Sequence, residues 1–97
     1  MNEITLRPGI VLAELYGKYL LIADKEAREH CTYIREINEI GAFIWYLLDE
    51  KKSYDEILSE LRREFDVPEG YNLEADVDAF LQDLEEKNYL IEKLGET

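Results

Sequence analysis

The chain changes its hydrophobic period once, near Ile37. Before that point the texture is strand-like and rich in β-branched and aromatic residues. Ile10-Val11-Leu12-Ala13-Glu14-Leu15-Tyr16 is a first run, Gly17-Lys18 a tight turn, and Tyr19-Leu20-Leu21-Ile22-Ala23 a second run, which together predict a hairpin. Asp24 to Glu29 is a charged connection with room for a helical turn, and Cys31 to Ile37 reads as a third strand. Pro8-Gly9 marks a bend, so residues 1–7 form a lead-in able to add a short edge strand.

After Ile37 the period becomes 3.6. Asn38 is an N-cap for a helix whose stripe is Ile40, Ile44, Leu47 and Leu48, with Phe43 at its margin and Trp45 off it. Ser53-Tyr54-Asp55-Glu56 is a capping box, because the serine and glutamate side chains each satisfy a free backbone N–H. The second helix points Tyr54, Ile57, Leu58, Leu61 and Phe65 inward, and Val67-Pro68-Glu69-Gly70 ends it. Asn72 caps a third helix with Leu73, Val77, Phe80, Leu81 and Leu84 on one face. Asn88 stops that helix, and Tyr89-Leu90-Ile91 packs back or forms a final short strand. The expected fold is α+β: a three-stranded antiparallel sheet over about residues 4–37 packed on three helices over about 38–88, in one domain spanning 1–97.

Three short helices in this order also have the outline of a winged helix-turn-helix, and charge decides against a DNA-binding regulator. The net charge is −12, and residues 38–97 hold seventeen acidic against six basic side chains. The third helix would have to enter the major groove, yet it carries Glu74, Asp76, Asp78, Asp83, Glu85 and Glu86 against Lys87 alone. The charge disfavours nucleic-acid binding; the acids read first as solvated helix faces kept for solubility, on a surface that would tolerate or attract a basic partner.

Composition excludes other classes. An apolar fraction of 46% with 11% aromatics is that of a globular domain. No run approaches the ~18 apolar residues of a membrane span, and Met1-Asn2-Glu3-Ile4 does not open a secretory signal, so a soluble cytoplasmic protein is expected. Cys31 is a single cysteine, which excludes an internal disulfide. Cys31 and His30 are neighbours on a strand-like run and point to opposite faces, a poor nucleophile–base pair and too few ligands for zinc. His30 reads as a surface residue and Cys31 as a small, partly buried apolar one. The glycines are scattered and make no phosphate loop. No catalytic residue, metal site or cofactor is expected.

The helical half carries an ordered set of motifs. Ile37-Asn38 leads into Gly41-Ala42-Phe43-Ile44-Trp45-Tyr46-Leu47-Leu48-Asp49. Ser53-Tyr54-Asp55-Glu56-Ile57 and Leu61 follow, then Asp76-Val77, Phe80-Leu81, Leu84 and Tyr89-Leu90-Ile91. From Leu6 to Ile91 the chain resembles the PqqD family of recognition elements for ribosomally made, post-translationally modified peptides. It departs from that pattern where Glu50-Lys51 and Asn88 replace glycines at turns, which touches only local loop geometry. The resemblance implies a domain without catalytic activity. It implies binding of a precursor's leader peptide as a strand beside the third strand, in a groove against the third helix. The partner enzyme would be a radical S-adenosylmethionine maturase or a lasso-type leader peptidase.

Strand addition uses unpaired edge N–H and C=O groups for affinity and side-chain pockets for specificity. The edge would be Cys31 to Ile37, with Tyr33, Arg35 and Ile37 on one face and Thr32, Ile34 and Glu36 on the other. Sequence leaves open which face packs on the helices. On the third helix, Asp76, Phe80, Asp83 and Lys87 lie along one flank of the apolar stripe, and Glu74, Asp78, Leu81 and Glu85 along the other. The first flank is the favoured groove wall. Trp45 covers a helix junction or faces the enzyme, the junction being favoured. The remaining alternative is a structural or dimerising module in which the same edge pairs with itself; a monomer or a weak or swapped dimer fits an exposed edge.

Overall fold

A computed structural model describes residues 4–91. Three strands, β1 (Ile10–Leu15), β2 (Lys18–Ala23) and β3 (Ile34–Ile37), precede three helices, α1 (Glu39–Asp49), α2 (Tyr54–Glu64) and α3 (Leu73–Glu86). The sheet is antiparallel throughout with β2 in the centre. The expected α+β architecture is the observed one.

The hairpin turn sits one residue earlier than the sequence suggests. Tyr16 (φ 53°) and Gly17 (φ 77°) are its two central residues, and Lys18 already belongs to β2. Two consecutive positive φ values make the type I′ turn that matches the strand twist. It sets the register Leu15 opposite Lys18 and Ile10 opposite Ala23. A turn at Gly17-Lys18 would slip that register and exchange the two faces. With the observed register Leu21, Ala23 and Ile37 are buried toward the helices, while Val11, Leu15 and Ile34 are exposed on the outer face.

β3 is shorter than expected. Cys31 does not join the sheet: its N–H donates to Ala27 O at 2.9 Å, just past the 3-10 turn over Ala27–Glu29 that His30 N closes, and its thiol is buried against Asn88. Tyr33 contributes only its carbonyl, which accepts from Ala23 N at 2.8 Å.

All three helix N-caps are occupied as expected. Asn38 accepts from Gly41 N, Asn72 from Ala75 N, and the Ser53–Glu56 capping box is complete. α2 ends sooner than predicted, with Phe65 as its C-cap. The core joins Leu21 and Ile37 of the sheet to Ile44, Leu48, Ile57, Leu61, Val77 and Leu84 of the helices. One assignment on α1 is corrected: Ile40 is exposed instead of lying on the buried stripe. Trp45, off that stripe, covers the junction with the segment after α3, being 3% exposed and meeting Tyr89 edge-to-face at 6.0 Å. The lead-in does not extend the sheet. It pairs instead with the segment after α3: Leu6 bridges Leu90, Arg7 N donates to Tyr89 O, and Ile91 N donates to Thr5 O. This clasp gives α1 a second buried side.

α1 and α3 end in the same way. Lys52 N donates to Leu47 O and Lys51 N to Leu48 O; Tyr89 N donates to Leu84 O and Asn88 N to Glu85 O. These are Schellman pairs, in which the residue after the cap takes a left-handed conformation. That residue is Lys51 (φ 67°) in α1 and Asn88 (φ 70°) in α3, the two places where glycine would be at ease.

Candidate functional site

The free edge of β3 has a definite chemical polarity. Ala23 and Tyr33 form a hydrogen-bonded antiparallel pair, and such pairs alternate along the ladder. Opposite Leu21 and Tyr19, Arg35 and Ile37 therefore also turn their amides toward β2. Ile34 and Glu36 turn their N–H and C=O groups outward. Two residues of this short strand thus offer a ready template for a further strand.

The side chains divide by the same alternation. Arg35 and Ile37 point beneath the sheet toward the helices; Ile34 and Glu36 sit on the outer face, where Glu36 lies 3.7 Å from Lys18. Tyr33 and Thr32 precede the strand and are exposed. The Tyr33 ring is held against Arg28, whose guanidinium carbon lies 3.6 Å from the ring centroid, while Arg28 Nε donates to Ala23 O at 3.0 Å. The segment leading into β3 is braced from its side-chain face.

Arg35 crosses from β3 to α3 and pairs with Asp83, which also accepts from Lys87 Nζ at 2.9 Å. Burial opposes ionisation of Asp83, but hydrogen bonds from Lys87 and Arg35 outweigh it and hold its carboxyl below the ordinary aspartate value. Arg35 also lies 5.6 Å from the Tyr89 ring centroid. Its Nη1 and the Tyr89 hydroxyl are buried with no hydrogen-bond partner, and burial pushes the Tyr89 hydroxyl pKa up.

Phe80 is half-buried against the start of α1. A Cβ on Gly41 would stand 2.9 Å from Phe80 Cε1 and 3.1 Å from Asn38 Oδ1, so the ring occupies room that only glycine leaves. Asp76 is exposed near the start of α3 and accepts a hydrogen bond from Tyr71. From Asp76 to Lys87 the flank runs roughly 16 Å, about the length of a five-residue strand. The structure thus unites Arg35, Asp83 and Lys87 in one charged cluster on the flank that carries Phe80. Leu81, from the opposite flank, is buried in the core.

From sequence Asn88 is only the residue that stops the third helix at a turn; in the fold it is the hub behind this cluster. Its carbonyl accepts from Arg7 Nε at 2.6 Å and Cys31 Sγ at 3.1 Å, and its side chain donates to His30 O at 3.1 Å. The signal was present as an asparagine where a left-handed turn residue is needed. Tyr89 was named only as a packing residue; its contact with Arg35 needs the tertiary fold. Among the described residues no group of three or more His, Cys, Asp or Glu side chains is placed to hold a metal ion, and no helix is long and apolar enough to cross a membrane.

Comparison with known proteins adds two findings. The family model for coenzyme PQQ synthesis protein D (PqqD) matches residues 27–90. A solved structure described as TbiB1 in complex with the TbiA(beta) leader peptide is similar, with a TM-score of 0.72 at 24% sequence identity. The match covers 92% of this chain and 96% of that one. At this identity the likeness is one of fold. The search of curated proteins finds no match.

Proposed function

The chain belongs to the PqqD family, and from that premise we propose that it is a non-catalytic recognition domain for the leader region of a ribosomally made precursor peptide. The leader adds as a strand beside β3 and is presented to a modifying enzyme. The observation that carries this reading is the outward-facing backbone of Ile34 and Glu36 beside the flank of α3 that holds Phe80, Asp83 and Lys87. The similar fold of TbiB1 is described with a leader peptide bound.

Each part of the site has a task. Backbone groups of Thr32, Ile34 and Glu36 supply sequence-independent hydrogen bonds to the added strand. Tyr33 and Phe80 give apolar contact to its alternate side chains, while Ile37 anchors the end of β3 in the core. Arg35 fixes the strand-to-helix spacing through Asp83, and Asp76 and Lys87 give the two ends of the wall opposite charge. The enzyme served is a radical S-adenosylmethionine maturase or a leader peptidase, with the catalytic groups on that enzyme. Strand addition beside a pre-paired Arg35–Asp83 wall needs little rearrangement, which keeps the cost of binding low.

The test is NMR titration of the labelled chain with the leader region of the precursor encoded beside its gene. Shifts concentrated at residues 32–37 and 72–87 are expected. Shifts spread evenly, or confined elsewhere, reject strand addition at β3.

A further inference from the structure

Next to the Ile37 end of β3, whose register partner is Tyr19, α1 and the C-terminal end of α2 close over β1 and β2 around a cavity of about 330 Å3. Four aromatic rings line it, Tyr19, Phe43, Tyr46 and Phe65, together with the carboxylates Glu39 and Glu64. Phe43 and Phe65 meet edge-to-face at 5.7 Å, which fixes two of the walls. None of its lining residues belongs to the β3–α3 groove. The size is at the low end of the roughly 300–1,000 Å3 usual for small-molecule sites and suits one long side chain.

The electrostatics favour a cation. No ion pair among the described residues uses Glu14, Glu39 or Glu64. The Tyr19 hydroxyl is held above its ordinary pKa, first by the nearby Glu14 charge, then by burial and by Glu39, so the negative field reaches into the cavity. The Tyr46 hydroxyl is raised in the same direction by a hydrogen bond and charge from Glu50. Aromatic faces attract guanidinium and ammonium groups through their quadrupole, and neighbouring carboxylates add to that attraction. The whole helical half carries the same sign of charge, with seventeen acidic against six basic residues over 38–97.

We propose that this aromatic, carboxylate-rimmed cavity is a docking socket for an arginine or lysine side chain of the modifying enzyme. The proposal rests on the leader-binding reading for the existence of that enzyme. The socket shares no lining residue with the leader groove beside it, so one domain can hold peptide and enzyme together. Long-range attraction between the acidic helices and a basic enzyme surface would steer the encounter, and the socket would fix its register.

The test uses the full chain and two probes, N-acetyl-arginine N-methylamide and the uncharged norleucine analogue. With the arginine probe, saturable NMR shifts are expected on the rings of Tyr19, Phe43, Tyr46 and Phe65. The norleucine probe should leave them in place. A Glu39→Gln/Glu64→Gln variant should bind the arginine probe roughly fivefold more weakly. The same variant should bind the enzyme encoded beside the gene more weakly by a similar factor, with leader affinity unchanged. Scattered shifts, equal response to norleucine, or undiminished enzyme affinity in the variant overturns the proposal. Failure of the wild-type chain to bind leader rejects the β3 reading but leaves the ring shifts, and so the cation site, intact.

Discussion

Proline substitution at adjacent positions of β3 separates edge chemistry from sheet integrity. Proline has no N–H, so its effect depends on where that N–H points. The Ala23–Tyr33 hydrogen bond fixes the alternation: Arg35 donates into the sheet, and Ile34 turns its amide to the free edge. In Ile34→Pro no internal hydrogen bond is lost, and edge strands accept proline. The side chain replaced is half-exposed on the outer face, so the fold should survive with a loss of about 1 kcal/mol or less. One carbonyl of the added leader strand loses its donor, worth about 0.5–1.5 kcal/mol. That corresponds to a rise in Kd of roughly 2- to 12-fold. In Arg35→Pro a ladder bond to β2 disappears together with the ion pair to Asp83. The expected cost is about 3 kcal/mol, a fall in Tm of about 12–24 °C. Circular dichroism melts and isothermal titration with the leader read both quantities on the same samples. If Arg35→Pro melts with the wild type, or Ile34→Pro unfolds, the assigned alternation is wrong. If Ile34→Pro folds and binds leader with unchanged affinity, the edge is not the site.

Lys51→Gly should raise Tm by about 2–6 °C, because it relieves a left-handed lysine at the end of α1; Asn88→Gly should gain nothing, since it also removes the side-chain bond to His30 O, and equal gains in thermal melts would refute the distinction. Gly41→Ala should displace the Phe80 ring, leaving stability within about 1 kcal/mol while weakening leader binding severalfold; wild-type affinity in titration would show that the ring is not part of the groove. Tyr54 has its phenol pKa pushed up to about 12, first by burial and then by its hydrogen bond to Asp78. The neutral form is therefore favoured in the folded state. Its stabilisation is complete below pH 10 and is lost as pH rises from 10 toward 12. Absorbance titration should lose one of the late-ionising tyrosines in Tyr54→Phe; an unchanged titration curve would contradict it.

The periodic parts of the fold were legible because they depend on local rules. Asn38, Ser53 and Asn72 announce helix starts through side chains that reach only three residues ahead. What failed was tertiary. Periodicity on α1 assumes one buried side, so it placed Ile40 on the stripe and could not name Tyr89 as the partner of Trp45; the Leu6–Leu90 clasp supplies the second side. The hairpin turn slipped because Gly17 fits either position of a two-residue turn, and only pairing with β3 fixes the register. Of the candidate site, the Asp76–Lys87 flank was readable from helical spacing. That Arg35 would meet Asp83 required knowing that β3 lies beside α3, which no local pattern encodes.

The clasp also dictates an order of events in folding. The β1–β2 hairpin and each helix close through neighbours in the chain and can form early. Leu6 can meet Leu90 only after all of them have docked, because the two lie near opposite ends of the described chain. Loop-closure entropy makes that the late step, and by the same logic the one most readily undone. Trp45 and Tyr89 sit under it, so tryptophan fluorescence should register its opening before helicity is lost. Asn88 ties the clasp to the turn before β3. The last joint to set in the folding of the domain is therefore the one that fastens the back of the peptide groove.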